Sequence, residues 1–184
     1  MIQIEIPEKV NRIISTLAAA GYEAYAVGGC VRDALLGRKP ADWDITTSAS
    51  PYQVKALFAR TIDTGIQHGT VTVMLGKEGF EVTTYRLDGA YSDHRRPDSV
   101  EFVSDLKEDL RRRDFTVNAM ACHPETGVVD LFGGQDDLRA GVIRCVGEPE
   151  HRFTEDALRI LRALRFASAY DFAIAPATGR AALK

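Results

Sequence analysis

The chain has 184 residues, 45% of them hydrophobic and 27% charged, enough to bury a core in one globular domain or in one domain with an appendage. A formal net charge of −3 argues against a protein that holds nucleic acid by bulk positive charge, so any such contact must be local or come from regions outside this chain. Met1 to Pro7 has neither the basic start nor the apolar run of a secretory leader. No eighteen apolar residues run together, so a cytoplasmic protein with no membrane partner is expected.

In chain order, Pro7 to Ala20 sets Val10, Ile13, Ile14 and Leu17 at helical spacing, and Gly21 ends that helix. Tyr22 to Val27 reads as a short strand running into Gly28-Gly29, and Val31 to Leu36 as a helix stopped by Gly37. Strand, glycine turn and helix together make a phosphate-site layout. Asp42 to Thr47 reads as a second strand, Pro51 to Arg60 as a helix with Ser50 as N-cap, and Thr70 to Leu75 as a β-branched strand. That strand is expected to pair with Phe80 to Tyr85 across the four-residue loop Gly76-Lys77-Glu78-Gly79.

From Arg86 to Ser99 the apolar periodicity disappears among Gly, Asp, Ser, Arg and Pro, the make-up of a long functional loop. Leu106 to Ala121 is helical in outline, Val128 to Phe132 and Val142 to Val146 read as strands, and Asp136 to Ala140 as a turn of helix. The last long helix is expected over Thr154 to Ala169, and another helix begins near Pro176. Cys30, Cys122 and Cys145 are odd in number, widely spaced and without a CxxC pair, so reduced, buried thiols are expected. His68, His94, His123 and His151 show no metal-ligand spacing.

The chemistry concentrates at Asp42-Trp43-Asp44. Residues i and i+2 of a strand share a face, so both carboxylates project into one site while Trp43 points away. Two such acids form a hard oxygen site suited to Mg²⁺, which takes a few carboxylates and completes its shell with substrate phosphates. Glu81, on the strand Phe80 to Tyr85, is available alongside as a third carboxylate. Three carboxylates can hold two ions about 3.5 to 4 Å apart, the arrangement that stabilises both attacking and leaving oxygens in phosphoryl transfer. Nine residues upstream of Asp42, Asp33 closes the stretch Gly28-Gly29-Cys30-Val31-Arg32-Asp33. Its glycines let backbone N–H groups approach a triphosphate, and Arg32 adds a forked donor.

The run Val27 to Arg38 with Asp42-Trp43-Asp44, then Arg112 to Ala119, Asp130-Leu131-Phe132-Gly133-Gly134 and Glu155 to Arg162, resembles the class II tRNA nucleotidyltransferases. These are the CCA-adding enzymes and their bacterial poly(A) polymerase relatives, within the polymerase β-like superfamily. The resemblance covers nearly the whole chain. It implies an α+β fold, with a small mixed sheet flanked by helices in a catalytic head at 1–146. A helical neck would start at 147–184, while the body and tail of the family are absent.

By the same resemblance Asp42 and Asp44 bind metal and Glu81 joins them as a catalytic carboxylate. Gly28, Gly29 and Arg32 line the phosphates, while Arg113, Asp114 and Asn118 hold the nucleotide sugar and phosphates. The carboxylate of Asp114 suits a ribose hydroxyl. Asp156 and Arg159, at i and i+3, read the base edge, and Arg162 and Arg165 line the same groove. The loop from Arg86 to Ser99 would be a lever for the switch from C to A addition.

The implied activity is addition of C and A from CTP and ATP to the tRNA 3′ end, with Mg²⁺ as cofactor and tRNA held mainly by regions outside this chain. A poly(A) polymerase or A-adding enzyme is the nearest rival. Gly65 to Val71 lacks the Arg-rich stretch of poly(A) polymerases, which favours CCA addition. A nucleotide- or RNA-binding module without catalysis would require a broken carboxylate set, and Asp42, Asp44 and Glu81 are intact.

Overall fold

A computed structural model of the protein describes residues 4–88, 100–103, 105–149, 152–153 and 158–183. Helix α1 (Glu8–Ala19) buries Val10, Ile13, Ile14 and Leu17. Full burial of side chains of this kind stabilises by about 1.5–3 kcal/mol each. Strand β1 (Ala24–Val27) enters the Gly28 turn and helix α2 (Gly29–Leu35). After β2 (Asp44–Thr47), helix α3 (Pro51–Leu57) opens with a capping box in which Ser50 and Gln53 satisfy one another's backbone N–H groups.

Strands β3 (Thr61–Gly65), β4 (Thr70–Leu75) and β5 (Glu78–Thr84) follow, then β6 (Arg86–Asp88) and β7 (Val100–Phe102), a separate antiparallel pair. Helix α4 (Leu106–Arg111), a 3₁₀ turn at Thr116–Asn118, β8 (Ala121–His123), β9 (Gly127–Val129), helix α5 (Gly134–Ala140) and β10 (Val142–Ile143) come next. The long helix α6 (Leu158–Tyr170), β11 (Ala173–Ile174) and α7 (Pro176–Ala182) close the described chain.

The main sheet runs β3-β4-β5-β2-β1-β8-β9. Its pairs are antiparallel apart from β2 with β5. Strand alternation sorts the side chains. Ile45, Val71, Val73, Phe80 and Val82 join α1 and Val54 in one core, while Val27, Tyr85 and Ala121 pack with Leu106 and Leu110 of α4. A further cluster around Phe115, Leu138, Ile143 and Ala163 joins α5 and β10 to α6 and α7. The three cysteines are free and buried. Among the described residues no helix is long and apolar enough to cross a membrane.

Three expectations change and one strand is added. The helix expected over Leu106 to Ala121 stops at Arg111, because its donors turn elsewhere: the N–H of Phe115 bonds the Asp114 carboxylate at 2.7 Å and that of Thr116 the Arg144 carbonyl at 2.9 Å. The loop of the β4–β5 hairpin shrinks to Gly76-Lys77, since Leu75 pairs with Glu78 and Gly76 adopts a φ of 64°. The second strand begins at Asp44, leaving Asp42 just ahead of it. Edge strand β3 has a mostly exposed Ile-Asp-Thr centre that gives no apolar signal. Residues 89–99 of the expected loop lie outside the described residues.

Candidate active site

Three strand registers meet at one end of the sheet. Val27 pairs with Asp44, so the glycine turn that follows β1 lies beside the start of β2. Ile45 pairs with Val82 in the parallel ladder, and one step back along it stand Asp44 and Glu81. On the far side of β1, the N–H of Gly28 bonds the Met120 carbonyl at 3.1 Å. Asp44 is therefore flanked by the glycine turn on one side and by Glu81 on the other. Trp43 is 9% exposed and packs into the core, which turns the carboxylates of Asp42 and Asp44 outward.

Asp42, Asp44 and Glu81 line one cleft of about 910 Å³. Burial pushes the Asp44 carboxyl above the ordinary carboxylate range, Glu81 and Asp42 add to the rise, and the Arg113 guanidinium opposes it. The acids are thus close enough to sense one another. Among the described residues no group of three His, Cys, Asp or Glu is gathered to hold a metal ion by itself. An open pair of aspartates with unshared oxygens still fits a hard cation that keeps waters and substrate oxygens in its shell.

Gly28 has a φ of 84°, and a Cβ there would stand 3.4 Å from Nη1 of Arg113. The turn thus packs directly on this arginine. Arg113 is held from below by Asp109, a residue the sequence reading passed over. Asp109 is fully buried and accepts from the Thr46 hydroxyl at 3.0 Å, the Arg86 N–H at 3.2 Å, Arg112 at 3.4 Å and Arg113 at 3.3 Å. Burial alone would raise its pKa, but Arg112, Arg113 and the two neutral donors outweigh it and hold the carboxyl below its usual range. A signal existed: Asp109 stands on the inward face of α4, three residues after Leu106 and beside Leu110.

The fork of Arg32 is engaged inside the protein. Its Nε donates to Asp33 at 3.0 Å and its Nη1 to Oδ1 of Asn118 at 2.5 Å. Its carbon centre stands 5.1 Å from the Phe166 ring and 4.9 Å from the Tyr170 ring. Asn118 passes the chain on by donating to Asp114 at 3.1 Å, and Arg162 of α6 donates to the second oxygen of Asp114 at 2.6 Å. Tyr170 donates to Asp33 at 2.9 Å. Helix α6 is thereby bonded at both ends of this circuit, to Asp114 through Arg162 and to the glycine-turn helix through Tyr170.

Of the pair expected to read the base, Asp156 lies outside the described residues. Arg159 is buried and donates to the carbonyls of Arg152 at 3.0 Å and Arg112 at 3.4 Å. Arg152 reaches the same turn, donating to the carbonyl of Arg113 at 2.6 Å and to that of Arg112. Arg165 is exposed on α6.

A mixed sheet flanked by helices, with acids at the end of one strand beside a glycine turn, is the arrangement of a nucleotidyltransferase-type head. The chain belongs to the Poly A polymerase head domain family, whose model matches residues 24–144. It is similar to the CCA-adding enzyme of Lactobacillus helveticus, 56% identical over 173 residues, covering 94% of this chain and 43% of that protein. That of Oceanobacillus iheyensis is 59% identical over 160 residues, covering 87% and 40%. Among solved structures, the Bacillus stearothermophilus CCA-adding enzyme in complex with CTP superposes with a TM-score of 0.88 at 49% identity, over 97% of this chain and 43% of that one. A tRNA nucleotidyltransferase complexed with a primer tRNA and an incoming ATP analog gives 0.74 at 34% identity, over 92% and 48%. The chain spans less than half the length of each of these relatives.

Proposed function

We propose that this protein is the catalytic head of a cytoplasmic CCA-adding enzyme, which transfers C and A from CTP and ATP to the 3′ end of tRNA. The observation that carries the reading is the meeting of Asp42, Asp44 and Glu81 in one cleft beside the Gly28 turn, in a chain 56% identical to a CCA-adding enzyme. The RNA 3′-hydroxyl oxygen bonds to the α-phosphorus, the bond to the β-phosphate oxygen breaks, and pyrophosphate leaves with that electron pair. The hydroxyl proton is released.

Asp42 and Asp44 would hold Mg²⁺, with Glu81 beside them, and the ions would supply charge stabilisation for the attacking and leaving oxygens. Gly28, Gly29 and Arg113 face the triphosphate, while Asp114 and Asn118 hold the ribose. Arg32 acts by fixing the amide of Asn118. Asp156 and Arg159 present a carboxylate and a guanidinium to the base edge, with Arg162 and Arg165 along the same helix. We place the head at 1–146 and the neck from 147 onward, in keeping with the family match ending at residue 144.

The matched family also carries poly(A) polymerase in its description, which makes A-tail addition the second reading. Incubating the full-length protein with tRNA lacking its 3′ CCA, with each nucleotide singly and then in pairs, separates the two. Defined addition of C, C and A supports the proposal. Extended A tails would replace it with the second reading, and no extension of any RNA would refute both.

A further inference from the structure

An ionised carboxylate offers about four lone-pair sites to donors, and at Asp114 the described residues alone fill them. Oδ1 accepts from the Phe115 N–H at 2.7 Å and from Nδ2 of Asn118 at 3.1 Å. Oδ2 accepts from Nε of Arg162 at 2.6 Å, and Nη2 of the same guanidinium stands 2.5 Å from it. A ribose hydroxyl that is to donate to Asp114 must therefore take the place of one of these partners.

Their surroundings decide which partner can give way. The Phe115 N–H belongs to the backbone of a fully buried residue, and the buried amide of Asn118 is fixed from its other end by Arg32 at 2.5 Å. Arg162 reaches in from a different element, α6, and its side chain is 52% exposed where that of Asp114 is 10% exposed. Its carbon centre stands 5.5 Å from the Phe166 ring, whose face can carry the guanidinium once it leaves the carboxylate. The pair has a reason to exist all the same, because an acid as buried as Asp114 is costly without a cation beside it.

We infer that Arg162 and the 2′-hydroxyl of an incoming ribonucleotide compete for Asp114, which makes Arg162 a determinant of selectivity between ribose and deoxyribose. The inference rests on the reading above in which Asp114 holds the ribose. The exchange gives up two charge-assisted bonds for one bond from a hydroxyl, so Arg162 subtracts from the affinity for a ribonucleotide. A deoxyribonucleotide has no 2′ donor and leaves Arg162 where it is, so its affinity is not reduced. Arg162 thus narrows the preference for ribose that Asp114 would confer by itself.

The test uses the full-length protein with tRNA lacking CCA and compares KM for CTP with KM for 2′-deoxyCTP. Arg162→Met removes the guanidinium and keeps an unbranched apolar stem beside Phe166. It should lower KM for CTP about three- to tenfold and leave KM for 2′-deoxyCTP unchanged, a widened preference that general loosening of the fold would not produce. Arg162→Lys keeps the charge without the fork and should fall between wild type and the methionine variant. Calorimetric titration with each nucleotide in the absence of tRNA should give the same order of affinities. A rise in KM for CTP in Arg162→Met, or a preference for ribose that does not change, would overturn the competition. Asp114→Asn checks the reading beneath it and should bring the two nucleotides closer together. If it does so while Arg162→Met changes nothing, only the inference falls; if Asp114→Asn keeps the wild-type preference, the ribose reading of Asp114 falls with it.

Discussion

At the scale of single residues, Asp44 and Asp109 are acids treated in opposite ways by their surroundings. Burial, with Glu81 and Asp42 beside it, disfavours the Asp44 charge more than Arg113 supports it, so that charge works against the folded state in metal-free buffer. Asp44→Asn should therefore abolish transfer, by about 10² or more in kcat, while leaving the melting temperature in EDTA equal to or above wild type. A melting temperature several degrees lower would show Asp44 to be structural. Asp109 is the reverse case. Its pKa is depressed in the folded state, so its contribution is complete above the unfolded value, about 3.9, and is lost as pH falls through the folded one. Asp109→Asn leaves Arg112 and Arg113 without their buried anion and should cost about 3–5 kcal/mol at neutral pH. In denaturant titrations from pH 7 down to pH 3, the gap between wild type and variant should narrow as the pH falls. A constant gap would mean that charge is not what Asp109 supplies.

Among the elements, α6 is bonded to both halves of the proposed nucleotide site, through Arg162 to Asp114 and through Tyr170 to Asp33. Phe166 packs edge-on to Phe115 and lies beside both Arg32 and Arg162. Phe166→Ala should lower stability by about 2–4 kcal/mol and raise KM for CTP, because the circuit that orients Asn118 loses its cover. Calorimetry and CTP kinetics on the same preparation check this, and a stability loss with normal CTP use would detach the helix from the site. The sequence made α1, the glycine turn and the β4–β5 hairpin legible because their apolar spacing or glycine punctuation matches the element they form. The break after Arg111 was hidden, since Leu106 and Leu110 continue at plausible helical spacing into Phe115 and Val117. What ends the helix is the bond that the Phe115 N–H donates to the Asp114 carboxylate, which spacing cannot reveal. For Asp109 the spacing from Leu106 and Leu110 marks the inward face, but the partners supplied by Thr46 and Arg86 come from distant parts of the chain that spacing cannot reveal.

For the molecule as a whole, the helix proposed to carry nucleotide choice also holds the fold together. Arg159 donates to the carbonyls of Arg112 and Arg152, so exchanging Asp156→Arg with Arg159→Asp tests base reading and a tether at once. If the pair reads the base edge, the exchange should reduce CTP and ATP use and raise UTP and GTP use, since those bases present the reverse order of donor and acceptor. Equal loss with all four nucleotides, together with a lower melting temperature, would mark Arg159 as a tether alone.

The one parallel pair in the main sheet sets the order in which the site assembles. Strands β4 and β5 are neighbours in sequence and close through a two-residue turn, a microsecond event in isolation. The pairing of β2 with β5 must instead wait for the whole stretch between Thr47 and Glu78 to fold back. Glu81 is therefore in place on its hairpin before Asp44 arrives beside it. In pulse-labelled hydrogen exchange during refolding, amides of Val71 and Val82 should gain protection ahead of those of Ile45 and Thr46. The mutual repulsion of the acids is thus deferred to one of the last steps of folding, when the surrounding core already stands to oppose it.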